Sequence, residues 1–334
     1  ELRVAGAAGS ADAPPAGALP ANASPADTSP AGASSAGALP ANASPADMSP
    51  SDASPAGTSP AGTSPADTLT LLFTAETRGE LLPCPCPDRP LGGLARRVGF
   101  LRDAAARRAS GGTVFVFDAG GFLPEGETAV RDTPGAAARY VRTLLAALRR
   151  TGVTAAACDH GMRAFLQAHA VAETDALGPA LLDADPPAPA LLLSWGGRNI
   201  AVLALEESSP DSVIARAAGE ARGRADFLIV LARADALSGR RLARLARADV
   251  VILSRGARPP RPLEVDGALL VGCGASGREV GELRLVASPA AGGSGALRPV
   301  GFELHAMAKG VPEDSLAAAW AASLMDVALA PLTE

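Results

Sequence analysis

The chain has 334 residues, 48% of them hydrophobic, and a formal net charge of −5. Residues 1–68 hold six of the 35 acidic residues and one of the 30 basic ones, so residues 69–334 carry 29 of each and are neutral overall. A neutral body in a chain with 3% aromatic residues lacks the basic surface that nucleic-acid binding requires, and no apolar run is long enough to span a bilayer.

Residues 1–68 form a low-complexity repeat rich in Ala, Pro, Ser, Gly, Asp and Thr, in which the stretch AGALPANASPAD occurs twice. Because large apolar side chains are few and prolines recur along the segment, it cannot bury a core and favours an extended spacer. We expect a disordered stalk that holds the next domain away from a membrane or wall; the alternative is a tail without function. The stalk predicts an exported protein, periplasmic or tethered to the cell envelope.

Residues 69–310 alternate between strand and helix patterns, which predicts a single α/β domain. The predicted strands lie at 69–75, 112–120, 153–161, 199–205, 225–232, 248–254, 267–273 and 279–288. The predicted helices lie at 91–109, 134–152 and 238–247. Residues 311–334 add a C-terminal amphipathic helix, for which the pattern leaves two roles open: docking on the domain or binding a partner.

Polar side chains follow the first three predicted strands. Glu76 comes after the first, Asp118 ends the second, and Asp159 and His160 end the third. The carboxyl ends of parallel strands meet at one edge of a sheet, where α/β proteins build their sites. Two-metal hydrolases place Asp, Asn and His side chains at such an edge, so we expect the functional site there.

Several segments in order resemble the 5′-nucleotidase branch of the calcineurin-like metallophosphoesterases. The segments are LTLLFTAETRGELLPC, GGLARRVGFLRD, VFVFDAGGF, TGVTAAACDHGM, FLIVLARADAL, ADVVILSRGARP and LLVGCGASGREVGELRLV. The resemblance covers about residues 69 to 287. It implies a four-layer α/β/β/α sandwich and a family chemistry of phosphoester hydrolysis at a pair of metal ions.

The resemblance also implies where ligands are replaced. By position, Glu76 stands for the first metal-binding aspartate, and Gly121 stands for the aspartate that bridges the two ions. The Asn-His pair of the family is Asp159-His160, which keeps the histidine that stabilises the transition state. The histidine of the fifth strand falls at or near Ala232, and the last two fall at about Arg255 and Ala257. Only Glu76 and Asp159 remain as oxygen donors, so we do not expect an ordinary two-metal site.

The Cys-Pro-Cys stretch is the other candidate site. Cys84 and Cys86 lie ahead of a helix start and two arginines, a setting that favours thiolates. Three readings stay open: a redox pair, half of a thiolate metal site completed by Cys158 or His160, or two bystander residues in a loop. A related group of 5′-nucleotidase-like proteins carries Cys-Gly-Cys at this place, where this chain has Pro85.

We therefore expect a phosphatase-inactive member of this fold, with Cys84 and Cys86 in a redox or metal-binding role in the cell envelope. One alternative is a phosphoester hydrolase with a depleted site built from Glu76, Asp159 and His160. Another is an inert binding or scaffold module. The cofactor that these residues could hold is one divalent ion, zinc or manganese. The partner is left open between a small molecule and an envelope protein.

Overall fold

The computed structural model describes residues 67–85, 89–124, 135–168, 180–288 and 295–324. The predicted stalk, residues 1–68, lies outside the described residues apart from Asp67 and Thr68, as does Cys86 of the Cys-Pro-Cys stretch.

Twelve strands and six helices occur in the described part of the chain. The strands are β1 (Thr68–Thr74), β2 (Thr113–Asp118), β3 (Ala155–Cys158), β4 (Ala180–Asp183), β5 (Leu191–Trp195), β6 (Arg198–Glu206), β7 (Phe227–Arg233), β8 (Val250–Leu253), β9 (Leu263–Val265), β10 (Ala268–Gly272), β11 (Glu279–Ala287) and β12 (Leu297–Ala306). The helices are α1 (Leu94–Ala109), α2 (Ala136–Arg150), α3 (His160–Ala168), α4 (Asp211–Arg222), α5 (Ala236–Ala246) and α6 (Ser315–Ser323).

The strands form two six-stranded sheets, in the orders β12-β11-β1-β2-β3-β4 and β5-β6-β7-β8-β10-β9. One apolar cluster fills the space between the sheets. A second cluster joins the first sheet to α1, α2, α3 and α6, and a third joins the second sheet to α4 and α5. The helices thus cover the outer faces of both sheets, and the predicted four-layer α/β/β/α sandwich is confirmed.

The central strands are apolar on both faces because each lies between two layers. β1 (TLTLLFT) and β7 (FLIVLAR) are buried almost throughout, as expected for parallel strands covered on both sides. β1 pairs in parallel with β2 and antiparallel with β11. In the β1–β11 pair Phe73 stands opposite Gly281, and a side chain at Gly281 would come within 2.2 Å of the Phe73 ring. The burial of these strands fixes how they pair with their neighbours, and this pairing brings the ends of β1 and β2 to the same edge of the sheet.

The predicted boundary after the third strand shifts in the structure. The predicted strand 153–161 ends at Cys158, and α3 starts at His160 because the Asp159 side chain accepts a hydrogen bond from the backbone N–H of Met162, 2.7 Å away.

The predicted C-terminal helix begins later than expected, and its part beyond Leu324 lies outside the described residues. Asp314 caps α6 by accepting from the N–H of Ala317, and its carboxylate also pairs with Arg102 and Arg150, on α1 and α2. This start of α6 therefore packs on the domain. Among the described helices, none combines the length and the apolar character that a membrane span needs.

Candidate functional site

The site is built where strand ends from both sheets meet. Glu76 follows β1 and Asp159 follows β3, both in the first sheet, whereas Arg233 ends β7 in the second. Strand residues Phe227, Ile229 and Leu231 belong to the cluster between the sheets, so the alternation along β7 directs Arg233 toward the first sheet. The predicted convergence of Glu76 and Asp159 occurs, with an arginine between them.

The Arg233 guanidinium joins both carboxylates. Its Nη1 lies 2.6 Å from Glu76 Oε1, and its Nη2 lies 2.6 Å from Asp159 Oδ2. The Arg233 and Glu76 side chains are 4% and 3% exposed, and that of Asp159 is 21% exposed. Charge-assisted hydrogen bonds of this length, shielded from water, are among the stronger polar contacts in proteins. The arginine therefore neutralises the oxygen donors that the sequence offered to a metal.

Two consecutive glycines make room for this arrangement. A Cβ atom added at Gly120 would lie 2.5 Å from Arg233 Cδ, and one at Gly121 would lie 2.6 Å from Glu76 Cδ. Real Cβ atoms do not approach heavy atoms so closely, so no side chain fits at either position without displacing the ion pair. The sequence resemblance aligns Gly121 with the bridging aspartate of the 5′-nucleotidase branch.

The backbone around Glu76 is held in an uncommon conformation. Glu76 and Arg78 have φ angles of +44° and +49°, in the left-handed region that side chains other than glycine disfavour. Three backbone hydrogen bonds fix them: Glu76 N to Gly120 O, Arg78 N to Gly121 O, and Ser276 N to Glu76 O. Backbone strain of this kind persists where surrounding contacts over-determine it, often at functional sites. The loop after β1 is therefore rigidly placed against the Gly120–Gly121 turn.

A second arginine extends the network toward the surface. Arg255 Nη1 lies 3.2 Å from Glu206 Oε1 and 3.0 Å from Glu207 Oε1. Burial raises the pKa of Glu206, and the nearby guanidinium groups of Arg255 and Arg233 act in the opposite direction. Arg78 also pairs with Glu76, at 3.3 Å. Each of the three arginines of this network, Arg78, Arg233 and Arg255, is thus already paired with a carboxylate.

Asp118 supports the turn and does not face this network. Its carboxylate accepts hydrogen bonds from Thr74 Oγ1 at 2.7 Å and from the N–H of Gly120 at 2.9 Å. Burial raises the pKa of Asp118 to about 6, although these two hydrogen bonds lower it. The residue fixes the geometry of the glycine turn that the Arg233 side chain packs on.

The donor set does not match a two-metal centre. Within the described residues, no three His, Cys, Asp or Glu side chains come together in a way that could hold a metal ion. Glu76 and Asp159 already pair with a fixed cation, which would repel a divalent ion at the same oxygens. The residues present in this cleft therefore do not fit the pair of ions that the fold family implies.

The remaining predicted site residues lie elsewhere. His160 is the first residue of α3 and is exposed. Cys158 is fully buried in the cluster beneath the helices, and burial raises the pKa of its thiol to about 12. Cys84 is half-buried in the loop before α1, where the N–H of Leu91 donates to its Sγ over 3.3 Å. The structure thus brings Glu76 and Asp159 together, whereas it places Cys158 in the core, His160 at the exposed start of α3 and Cys84 in the loop before α1.

Arg233 is the residue that sequence reasoning missed. The resemblance to the 5′-nucleotidase branch aligns a metal-binding histidine at or near Ala232, one position earlier. A signal was available, because a charged residue ends a strand that is otherwise apolar throughout.

A cleft of about 520 Å³ opens beside the network. Its charged side is formed by Asp159, Arg233 and Arg255, and its other walls are mostly apolar. The apolar lining comes from Leu123, Pro124, Met162, Ala164, Phe165 and Ala168. A cleft of this size falls in the range used for small molecules, which makes it the candidate binding site.

Comparison with known proteins identifies the fold. The sulfate thiohydrolase SoxB of Thermus thermophilus, in complex with glycerol, superposes with a TM-score of 0.62 at 16% identity. A 5′-nucleotidase precursor of Thermus thermophilus gives 0.58 at 21%, and the calcineurin-like phosphoesterase YfkN of Bacillus subtilis gives 0.56 at 12%. Each alignment covers 78% of this chain.

The chain spans 60% of the SoxB structure and 58% of the nucleotidase structure, against 97% of the YfkN structure. No family model and no curated protein matches the sequence. At these identities the likeness establishes the metallophosphoesterase fold, in agreement with the resemblance read from the sequence motifs.

Proposed function

We propose that this chain, which has the metallophosphoesterase fold, is a phosphatase-inactive domain that binds a small molecule in its cleft. The observation that carries the proposal is the placement of Arg233 between Glu76 and Asp159, with 2.6 Å to each carboxylate. A guanidinium in this position takes over the charge neutralisation that metal ions provide in two-metal phosphoesterases.

The arginine does not take over the chemistry. A metal ion polarises a phosphoryl oxygen and lowers the pKa of a bound water, so that hydroxide is available at neutral pH. A guanidinium stays protonated and has no open coordination position. The buried ion pair supports a structural role for Arg233, because removing one partner of such a pair leaves an uncompensated buried charge.

The first test is metal binding by the full chain and by an Arg233→Ala variant. The variant frees the carboxylates of Glu76 and Asp159, and oxygen donors of this kind suit Mn²⁺. We expect Mn²⁺ to raise the melting temperature of Arg233→Ala and to leave the wild type unchanged. Arg108→Ala is the matched control, because it removes the arginine partner of a different buried carboxylate, Glu282.

Hydrolysis is tested alongside, with bis(p-nitrophenyl) phosphate and added Mn²⁺ or Zn²⁺. We expect no turnover by the wild type. Stoichiometric metal in the wild type, or turnover that His160→Ala removes, would overturn the proposal and favour the hydrolase that Glu76, Asp159 and His160 would form.

A second candidate function concerns the loop that carries Cys84 and Cys86. The backbone N–H of Leu91 points at the Cys84 sulfur, and such a hydrogen bond favours the thiolate that redox chemistry or soft-metal binding needs. Replacing both cysteines by serine should abolish any thiol-dependent reduction or zinc binding by the full chain, and an unchanged activity would exclude this role. Localisation to the cell envelope belongs to the same proposal and is tested by fractionation.

A further inference from the structure

The outer side of α2 exposes arginine alone. The exposed residues of this helix are Arg139, Arg142 and Arg149, and none of its residues is acidic. Because an α-helix turns by about 100° per residue, the three lie within about 80° of one another around the helix and span about 15 Å along it. They form one stripe, opposite the side that packs on the domain through Tyr140 and Leu144.

The neighbouring helix continues this positive surface. α1 packs beside α2 over the same sheet, and it exposes Arg102 and Arg107. Arg102 pairs with Asp314, and so does Arg150 of α2, so arginines of both helices meet at one carboxylate. The two helices together expose five arginines and a single acidic residue, Asp103, which lies 3.9 Å from Arg107.

The helices on the opposite side of the sandwich lack this bias. α4 and α5 expose Arg216, Arg240 and Arg244 together with Asp211 and Glu220. The neutral total of residues 69–334 therefore conceals an uneven distribution, with positive charge collected over α1 and α2. The exposed arginines of α1 and α2 are termed the arginine face below.

The composition of the arginine face decides the kind of partner. Protein interfaces depend on aromatic or large apolar anchors. The exposed large apolar side chains in the described part of the chain are Leu82, Leu192, Leu237 and Leu316, and none of them lies on α1 or α2. Since these two helices lie side by side on the sheet, neither projects alone as a helix in a DNA groove does. A broad cationic surface without apolar anchors suits lipid headgroups, whose phosphates accept charge-assisted hydrogen bonds from guanidinium groups.

We propose that the arginine face binds the surface of a bilayer that contains anionic phospholipids. The contact involves no residue of the cleft, so it stands apart from the proposed function. The chain as a whole carries a formal charge of −5, and this total opposes approach to an anionic bilayer. Binding therefore requires the local concentration of arginines, which acts within about 10 Å at moderate salt.

The test is co-sedimentation of the full chain with vesicles of phosphatidylcholine alone and of an equimolar mixture with phosphatidylglycerol. We expect binding to the mixed vesicles at low ionic strength and its loss at high ionic strength. A triple variant, Arg139→Gln with Arg142→Gln and Arg149→Gln, should bind at least about tenfold more weakly.

The matched control makes the same change of net charge on the opposite side of the sandwich. It combines Arg216→Gln, Arg240→Gln and Arg244→Gln, and we expect it to bind like the wild type. All six positions are exposed, and urea denaturation checks that both triple variants stay folded.

The proposal is overturned if the wild type does not sediment with the mixed vesicles, or if it binds neutral vesicles equally well. Equal losses in the two triple variants would assign the effect to net charge and would also overturn it. Binding to heparin or to a DNA duplex without binding to vesicles would mean that the partner is a different polyanion. The dependence on lipid composition and salt is measured on the wild type, so the test does not depend on the folding of any variant.

Discussion

Arg233 and Glu76 are 157 positions apart in the sequence and meet as a buried ion pair, with Nη1 2.6 Å from Oε1. The contact joins the end of β7 in the second sheet to the loop after β1 in the first. It therefore ties together the two sheets at the edge where the fold has its cleft, and Asp159 adds a second link of the same length.

Removing this arginine should destabilise the chain strongly. Arg233→Ala leaves the buried carboxylate of Glu76 without its main partner, and such a loss costs about 3–5 kcal/mol of unfolding free energy. Urea denaturation at neutral pH measures it. Arg244→Ala is the control, because that arginine is exposed and its pair with Asp266 contributes about 1 kcal/mol or less. Equal effects of the two variants would contradict a central role for Arg233.

A side chain at position 121 should destabilise the chain for two reasons: its steric clash with Glu76 and the left-handed backbone conformation. Gly121→Ala puts a Cβ 2.6 Å from Glu76 Cδ, and Gly152→Ala has a nearly equal φ but open space around it. Both variants carry the strain of a left-handed alanine, about 1 kcal/mol. We expect Gly121→Ala to lose about 1–3 kcal/mol more than Gly152→Ala in the same denaturation experiment. Equal losses of unfolding free energy in the two variants would show that a methyl group fits at position 121 without a clash.

The cysteines should differ in reactivity. Burial raises the thiol pKa of Cys158 and of Cys273 from 9.0 to about 12 in both cases, which lowers the thiolate fraction about a thousandfold. Iodoacetamide labelling of the native chain at pH 8, read by mass spectrometry, should therefore modify Cys84 well before these two. All should react in denaturant, which controls for intrinsic reactivity. Early labelling of Cys158 would restore it as a candidate ligand.

Stability should fall in acid through Glu282. Burial raises its pKa, but hydrogen bonds from His305 and Arg108 outweigh this and lower it from 4.5 to about 2. A carboxyl group whose pKa is lower in the folded state than in the unfolded state stabilises the fold at pH values above its unfolded pKa. This stabilisation should be complete above about pH 4.5 and disappear as the pH falls toward 2.

Comparison with Glu282→Gln isolates that contribution. The difference in unfolding free energy between wild type and variant should shrink as the pH falls between these two values. Arg284 also lies near this carboxylate, at 3.7 Å, so the measurement is best made at low salt, where that longer pair is not screened. A difference that does not depend on pH would show that Glu282 acts through packing alone.

Much of the fold could be predicted from the sequence, because the central strands lie between two layers and read as continuous apolar runs. The peripheral strands could not. β12 is only partly buried and contains Pro299, and β9 has three residues, so neither carries a strong pattern.

The candidate site was predictable only in part. Glu76 and Asp159 could be placed together because they follow parallel strands of one sheet. Arg233 comes from the other sheet, and the motif comparison was one residue short of it. Gly120 and Gly121 matter because the Arg233 side chain packs directly against them. The sequence alone does not show this contact, because Arg233 lies on a distant strand.

The glycine turn limits which residues can occur together at positions 121 and 233. A chain with any side chain at 121 cannot hold Glu76 and Arg233 as they stand, since that side chain would occupy their space. An aspartate at 121 and the buried arginine are therefore mutually exclusive states of one cleft. Exchanging one arrangement for the other therefore needs changes at both positions, and a substitution at position 121 or 233 alone yields neither arrangement.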